Sequence, residues 1–144
     1  MQKSKNAFTM IEIVFVIVIL GILAAIAIPK FAATRTDAEI AKGRSDIASI
    51  RSAIVSERQV RLITGDSDYI SGTNLNVGGL FGGVLMYAIT DSTESGHWTN
   101  TAEANATNTY DYNVAGTNVS FTYTQSDGKF ICTSTDTYCS ELTE

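Results

Sequence analysis

Two cysteines and one histidine carry the most reactive side chains of this chain. Cys132 and Cys139 are separated by six residues, which is wider than the two-residue gap of redox and zinc motifs. A metal pair, a redox pair and a disulfide are all open, and a disulfide is favoured if the domain lies outside the cytoplasm. It would then stabilise the domain by about 2.5 kcal/mol.

His97 is the only histidine. A single histidine makes neither a metal site nor a triad, so we expect no enzyme and no catalytic residues.

Five carboxylates in the C-terminal half offer oxygen ligands of the kind that calcium prefers. They are Asp91, Glu94, Asp127, Asp136 and Glu141. We expect no cofactor and no metal site, with calcium as the alternative.

Asn105 is a candidate for glycosylation. The run Glu103-Ala104-Asn105-Ala106-Thr107 matches the extended bacterial N-glycosylation sequon, in which an acidic residue stands two positions before the asparagine. Asn118-Val119-Ser120 meets only the minimal sequon. Such patterns also arise by chance in a region rich in Thr and Asn.

Glu12 is a single carboxylate inside a long apolar run. Sixteen consecutive apolar or Gly residues follow it, from Ile13 to Ile28, and the 21 residues from Phe8 to Ile28 carry one charge. At 1.5 Å per residue a helix of this length spans about 30 Å, the thickness of the hydrocarbon core of a bilayer. The sequence therefore predicts a transmembrane helix over residues 8–29, after a polar leader that contains Lys3 and Lys5.

Three simpler interpretations of the run are a plain signal anchor, a cleaved signal peptide and a buried core helix. Ala25-Ile26-Ala27 does form an A-x-A cleavage pattern, and so small a domain could hardly bury the helix on all faces. The carboxylate argues against all three, because Glu12 costs about 2.5–3.5 kcal/mol in a membrane helix and serves neither an anchor nor a signal peptide. It requires a cationic partner in the membrane.

The segment Ala7-Phe8-Thr9-Met10-Ile11-Glu12 resembles the cleavage motif of the type IV pilin-like family, which is usually Gly, Phe, Thr, Leu, Ile, Glu. The resemblance implies that a prepilin peptidase cuts between Ala7 and Phe8 and then N-methylates the new amine of Phe8. It also implies that Glu12 neutralises the terminal amine of a neighbouring subunit during assembly, which supplies the missing cation. Ala7 in place of Gly and Met10 in place of Leu are the departures from the pattern.

The resemblance extends to three further features. Gly21 and Pro29 match positions where the family's helix bends or melts, and Pro29 also removes a backbone donor, so we expect a kink there. Gly21 fits equally well the ordinary tolerance of glycine in membrane helices. Cys132 and Cys139 resemble the disulfide-closed loop of pilins, whereas major pseudopilins of type II secretion often bind calcium in a C-terminal loop.

After Lys30 the chain has the pattern of an amphipathic helix. Ile40, Ile47, Ile50 and Ile54 fall on one helical stripe. The stripe predicts that the helix continues to about Leu62 and covers the strands that follow. Its polar faces would be solvated by default or would contact other subunits.

The C-terminal half is rich in Thr, Asn, Ser, Gly and Tyr, which suits short strands and turns. We expect a loop over residues 64–79, a short helix over Leu80–Ile89, and a second loop over Asp91–Ala106 in which Trp98 packs on a sheet. Three alternating runs predict an antiparallel meander: Tyr110–Val114, Val119–Tyr123 and Lys129–Cys132.

The predicted fold is α+β, a long N-terminal membrane-spanning helix packed by its C-terminal half on a small antiparallel sheet, as in pilins. The domains are a leader (1–7), a transmembrane helix (8–29) and a periplasmic head domain (30–144). The head includes the amphipathic second half of the helix.

Charge excludes one class of function. The net charge is −5 and nine of the ten Lys and Arg residues precede residue 62, so we expect no sequence-independent nucleic-acid binding.

We expect a filament subunit, a pseudopilin of a type II protein secretion system, in the inner membrane with its C-terminal domain in the periplasm. The expected partners are other copies of the chain, a prepilin peptidase and an inner-membrane assembly platform. The alternative is a pilin of a type IV pilus for adhesion, motility or DNA uptake. A secreted enzyme behind a signal peptide is a third hypothesis of a different class.

Overall fold

The computed structural model describes residues 8–144, so the predicted leader lies outside the described residues. The described chain divides into two compact units between Arg35 and Thr36. One helix, α1 (Met10–Ile63), supplies residues to both units. All other helices and strands lie in the C-terminal unit, from residue 36 onward.

The N-terminal unit is the apolar part of α1. Every residue from Phe8 to Ile26 is exposed, and Ile17, Leu20 and Leu23 are each 58% exposed. Leaving apolar area in water costs about 25 cal/mol per Å², so this surface favours a lipid or protein environment. By length and composition the helix is able to cross a membrane, as the sequence predicted. It continues through Pro29, and a kink there stays a prediction.

The second half of α1 buries one stripe of side chains. Ile47, Ile50 and Ile54 are at most 2% exposed, and Ile40 packs against the same core. This confirms the predicted stripe. The helix ends at Ile63, because Gly65 adopts a φ of +89° that ordinary side chains rarely reach.

Four antiparallel strands form a meander in the order β1-β2-β3-β4. They are β1 (Trp98–Ala102), β2 (Thr107–Val114), β3 (Thr117–Thr124) and β4 (Lys129–Cys132). In β2 and β3 buried and partly exposed residues alternate, as expected for a sheet that covers a core on one face. The three predicted strands are confirmed as β2, β3 and β4.

The strand β1 lies inside the predicted loop Asp91–Ala106, and that part of the prediction is wrong. Burial fades along β1 from Trp98 to the two exposed residues at its end, and its register shifts between Asn100 and Ala102. The strand therefore alternates too weakly to give the sequence signal of a half-buried strand.

The predicted short helix over Leu80–Ile89 is also wrong. This segment consists of turns closed by an isolated bridge in which the Ile89 N–H donates to the Leu80 carbonyl at 2.9 Å. Gly79 has a φ of +126° and Phe81 a φ of +59°, and a right-handed helix contains neither conformation. The adjacent burial of Leu80 and Phe81 explains the apolar run that indicated a helix.

Two short helices were not predicted. α2 (Gly72–Leu75) lies in the predicted loop 64–79, and α3 (Thr137–Thr143) ends the chain. Each begins after a side-chain cap, the Ser71 hydroxyl accepting from Asn74 N–H and the Asp136 carboxylate accepting from Tyr138 N–H. Ser and Asp are preferred residues at this position, so a weak local signal was present.

The centre of the core is a group of aromatic rings that contact one another. They are Phe81, Trp98, Tyr110, Tyr112, Phe121 and Phe130, all at most 2% exposed. Ring centroids lie 4.4 Å apart in the Phe81–Tyr110 pair and 4.8 Å apart in the Trp98–Tyr112 pair. Trp98 thus packs on the sheet as predicted. Its indole N–H donates to Asp46 of α1 at 3.1 Å, in a setting where burial raises the pKa of the Asp46 carboxyl.

Three buried tyrosines of the sheet form hydrogen bonds to other parts of the domain through their hydroxyls. Tyr112 donates to the carbonyl of Glu39 in α1 at 2.6 Å, and Tyr123 donates to the carbonyl of Ile70 at 2.6 Å. Tyr110 donates to the side-chain carbonyl of Asn76 at 2.8 Å. Burial raises the pKa of Tyr110 and Tyr123 to about 12. These hydroxyls therefore keep their protons, and their hydrogen bonds, well above neutral pH.

The stripe of α1 gives a direct stability prediction. Replacing Ile50 with Ala should lower the free energy of unfolding of the C-terminal unit by about 2–5 kcal/mol, because it leaves a cavity against the aromatic core. The matched control is Val55→Ala on the same helix, where Val55 is 53% exposed and the expected change is about 0.5 kcal/mol or less. Denaturant unfolding of the full chain in detergent, followed by the fluorescence of Trp98, measures both. Equal losses in the two variants would contradict the assigned burial.

Candidate assembly segment

Thr9 starts α1. The helix begins at Met10, and the Glu12 N–H donates to the Thr9 hydroxyl at 3.3 Å and to the Thr9 carbonyl at 3.1 Å. The Ile13 N–H also donates to the Thr9 carbonyl, at 3.3 Å. Thr9 therefore lies at the N-cap and Glu12 three residues later, which is the spacing of a capping box.

Glu12 lies in the first turn of α1, where negative charge interacts favourably with the positive end of the helix dipole. Its side chain is exposed. The carboxylate therefore has a local reason to be there in addition to the predicted role in assembly. The Thr-x-x-Glu pattern is also typical of a helix N-terminus.

Phe8 and Ile13 flank the cap at the two positions that form a hydrophobic staple. With Glu12, Val16 and Ile17 they line one shallow cavity of about 240 Å³. The carboxylate of Glu12 thus emerges from an apolar surface. In an apolar environment its attraction for a cation is much larger than in water.

Gly21 does not owe its identity to packing within the chain. A Cβ atom at Gly21 would meet nothing within 4 Å. Both interpretations of this glycine, a place of bending and the ordinary tolerance of membrane helices, therefore stay open.

Cys132 and Cys139 form a disulfide with their Cα atoms 5.9 Å apart. It links the end of β4 to α3, whose Leu142 is 2% exposed. The Arg44 side chain of α1 also donates to the carbonyl of Glu141. The cysteines thus hold the C-terminal helix against the domain, and in this state neither is a thiol nucleophile.

The five carboxylates considered for calcium are not brought together. Asp127 pairs with Lys129 at 3.1 Å in the turn between β3 and β4, and Asp136 caps α3. The backbone N–H of Lys129 is the main cause of the lowered pKa of Asp127. Within residues 8–144, no three His, Cys, Asp or Glu side chains form a group suited to a metal ion. Calcium thus stays the alternative to the expected absence of a metal, without a located site.

Asn105 is exposed in the connection between β1 and β2. Its side-chain carbonyl accepts from the Thr73 hydroxyl at 2.8 Å, and its backbone carbonyl accepts from the Gly72 N–H at 2.7 Å. The residue is accessible to an enzyme but held in place by α2. Its glycosylation stays a prediction.

The class of protein follows from the N-terminal segment. A family model described as the prokaryotic N-terminal methylation motif matches residues 2–28. The match includes the predicted cleavage position, Thr9, Glu12 and the apolar run. The chain therefore carries the prepilin-type motif, and its helix and sheet have a pilin-like architecture.

Curated relatives match a little more than a third of the chain. Type II secretion system core protein G of Pseudomonas aeruginosa is 38% identical over 53 residues, which are 37% of this chain and 37% of that protein. The protein of the same name from Klebsiella michiganensis is 40% identical over 53 residues, with the same shares. A fimbrial protein of Pseudomonas aeruginosa is 35% identical over 52 residues, 36% of this chain and 34% of that protein.

The chain thus spans about 37% of the length of the curated secretion relatives that it matches. No solved structure matches the chain.

Proposed function

We propose that this chain is a structural filament subunit, a pseudopilin of a type II protein secretion system. The observation that carries the proposal is that two features occur together at the N-terminus, a carboxylate in the first turn and a long exposed apolar helix. A capped helix start with Glu12 in its first turn opens an apolar helix that is exposed from Phe8 to Ile26. The similarity of 53 residues of the chain to type II secretion system core protein G, at 38% and 40% identity, supports it.

Processing comes first in the proposed sequence of events. Cleavage between Ala7 and Phe8 by a prepilin peptidase, followed by N-methylation of Phe8, creates an amine one residue before the N-cap of α1. A positive charge there is unfavourable beside the positive end of the helix dipole. Loss of Lys3 and Lys5 changes the formal net charge of −5 by two units, to −7.

Glu12 then pairs with the Phe8 amine of a neighbouring subunit. Both charges lie in a low dielectric, where an unpaired charge costs several kcal/mol and a paired one much less. Exposed apolar side chains around Glu12, such as Ile13 and Val16, give adjacent helices a surface to pack on. The ion pair forms only when the Phe8 amine of the entering subunit lies beside Glu12 of its neighbour. It therefore fixes the axial position of the entering subunit in the filament.

In this proposal the helix anchors the subunit in the inner membrane and the C-terminal unit lies in the periplasm. The Cys132–Cys139 disulfide supports that side, because disulfides persist in the periplasm and are rare in the cytoplasm. An inner-membrane assembly platform is the proposed partner for growth of the filament. The proposal involves no catalysis and no cofactor.

A pilin of a type IV pilus is the second candidate. The 35% identity to a fimbrial protein over 52 residues and the disulfide-closed C-terminus favour it. Processing before Phe8 and pairing through Glu12 are the same in both candidates. The two candidates therefore differ in the surrounding machinery, which retracts a pilus but retains a secretion filament.

Processing has a distinct mass signature. The purified protein should begin at Phe8 with one added methyl group, because the Ala7–Phe8 bond stands at the motif's cleavage position. Intact-mass and N-terminal peptide mass spectrometry measure this directly. A first residue at Ile28 would instead show cleavage after Ala25-Ile26-Ala27 by a signal peptidase, and would overturn the proposal.

The proposed assembly role of Glu12 is separable from the position of this residue at the start of α1. Glu12→Gln keeps a residue that suits a capping box but removes the charge, and Glu12→Ala removes both. Both variants should be cut, since the bond before Phe8 is intact. Both should insert readily into the membrane, because both remove a charge from the membrane helix. For Glu12→Ala the insertion cost falls by up to about 3 kcal/mol. Filaments should be lost or sharply reduced in both.

The readout is leader removal by mass spectrometry, retention in the membrane fraction, and filaments on overexpression counted by electron microscopy. Normal filaments from Glu12→Gln would show that the charge has no role in assembly. Loss of both variants from the membrane would show that Glu12 acts in folding or targeting instead.

A further inference from the structure

The structure separates the two Asn-x-Ser/Thr sequons of the chain. The sequon at Asn105 lies in the connection between β1 and β2, where the chain bends at Asn105 and Ala106. The sequon at Asn118 lies inside β3, where Asn118 pairs with Asn113 of β2. An enzyme that transfers a bulky group has to approach the asparagine from outside the fold. A surface loop permits that approach more readily than a paired strand.

The side chains on both sides of Asn105 are also accessible. Glu103, Asn105 and Thr107 are all exposed, so the acid, the amide and the hydroxyl of the extended sequon face solvent together. The sequon at Asn118 differs at both outer positions. Gly116 stands where the acid would be, and the Ser120 hydroxyl donates to the Asp111 carboxylate at 2.6 Å. Only the first sequon therefore presents the full set.

Asn105 makes its hydrogen bonds to α2 through its oxygen atoms. The side-chain carbonyl accepts from the Thr73 hydroxyl at 2.8 Å, and the backbone carbonyl accepts from the Gly72 N–H at 2.7 Å. Neither contact involves the side-chain nitrogen Nδ2, which is the atom that carries the sugar in an N-linked glycan. A glycan on Nδ2 is therefore compatible with both hydrogen bonds.

The bend that carries Asn105 is fixed by a buried side chain. Asn108 is fully buried. Its side-chain carbonyl accepts from the Ala104 N–H at 2.9 Å, and its side-chain nitrogen donates to the carbonyl of Gly72 at 2.7 Å. The bend is thus part of the folded domain, and Asn105 is exposed at its outer side chain in the folded state.

We propose that Asn105 is an acceptor of an N-linked oligosaccharide, with polyprenyl pyrophosphate as the carrier of the donor sugar. Asn105 Nδ2 forms a bond to C1 of the first sugar while the bond between C1 and the pyrophosphate oxygen breaks. Polyprenyl pyrophosphate leaves with the electron pair, and the amide nitrogen releases one proton to solvent. Glu103 and Thr107 supply the negative charge and the hydroxyl that the transferase recognises. The inference rests on the periplasmic location in the proposed function and does not depend on Glu12.

The test expresses the full chain in a bacterium that has three components. They are a prepilin peptidase, an oligosaccharyltransferase specific for the extended sequon, and the lipid-linked oligosaccharide that this enzyme uses. A carrier protein with a known extended sequon shows that transfer works in the same cells. Mass spectrometry with electron-transfer fragmentation should find the mass of the oligosaccharide on Asn105 and none on Asn118.

Three variants assign the modification to this sequon. Asn105→Gln, Glu103→Gln and Thr107→Val should each lose the added mass. All three alter exposed side chains, which rarely affects folding, and the fluorescence of Trp98 checks that the domain is folded. The matched control is Glu94→Gln, which makes the same charge change in another exposed segment and should keep the modification.

The oxidation state of Cys132 and Cys139 separates two ways of failing. An unmodified Asn105 in protein with the disulfide formed, while the carrier protein is modified, would overturn the inference and leave the filament proposal standing. An unmodified Asn105 together with two free thiols would overturn the periplasmic location and this inference with it. Full modification of Glu103→Gln, or modification of Asn118, would contradict the selection of this sequon by its acid and its exposure.

Discussion

The structure depends on a change of character along a single helix. Up to Ile28 α1 is apolar on all sides apart from Glu12 and leaves nearly all of its side chains exposed, whereas after Lys30 it buries only a stripe that includes Ile47, Ile50 and Ile54. The apolar surface of the first half is costly to leave in water. The second half buries its apolar stripe within its own chain. One secondary-structure element therefore combines a segment able to cross a membrane with the scaffold of a domain.

The C-terminal unit shows how a small domain compensates for a limited core. Aromatic rings fill most of the space between α1 and the sheet, and tyrosine hydroxyls bond to backbone carbonyls at its margins. The disulfide adds a restraint on the unfolded chain where α3 would otherwise have few contacts. Asn108, which is fully buried, connects the β1–β2 loop to α2 through hydrogen bonds to Ala104 and Gly72.

Those parts of the fold with a strong period could be predicted, and those set by single contacts could not. The apolar run, the isoleucine stripe and the alternation in β2 and β3 each repeat over many residues, so the sequence reports them directly. By contrast, β1 is recognised only through Trp98, whose partners lie on β2 and α1. The turn at Phe81 depends on a left-handed backbone that the buried ring stabilises, and no local pattern encodes that.

The site shows the same division. Glu12 was recognisable because a charge in an apolar run is costly and requires a reason. The cap at Thr9 is harder to recognise in the sequence, because the residues from Thr9 to Glu12 also belong to a processing motif.

The pairing of Glu12 with the Phe8 amine of another subunit is the central claim, and a distance in the assembled filament tests it most directly. Filaments would be assembled from a mixture of two preparations, one with ¹³C-carboxyl glutamate and the other with ¹⁵N-phenylalanine. Solid-state NMR then measures intermolecular dipolar coupling at the terminal amine. We predict a coupling that corresponds to about 4 Å or less between the amine nitrogen and the Glu12 carboxyl carbon, the separation of a direct ion pair. The absence of intermolecular coupling at the Phe8 amine in well-formed filaments would contradict the account.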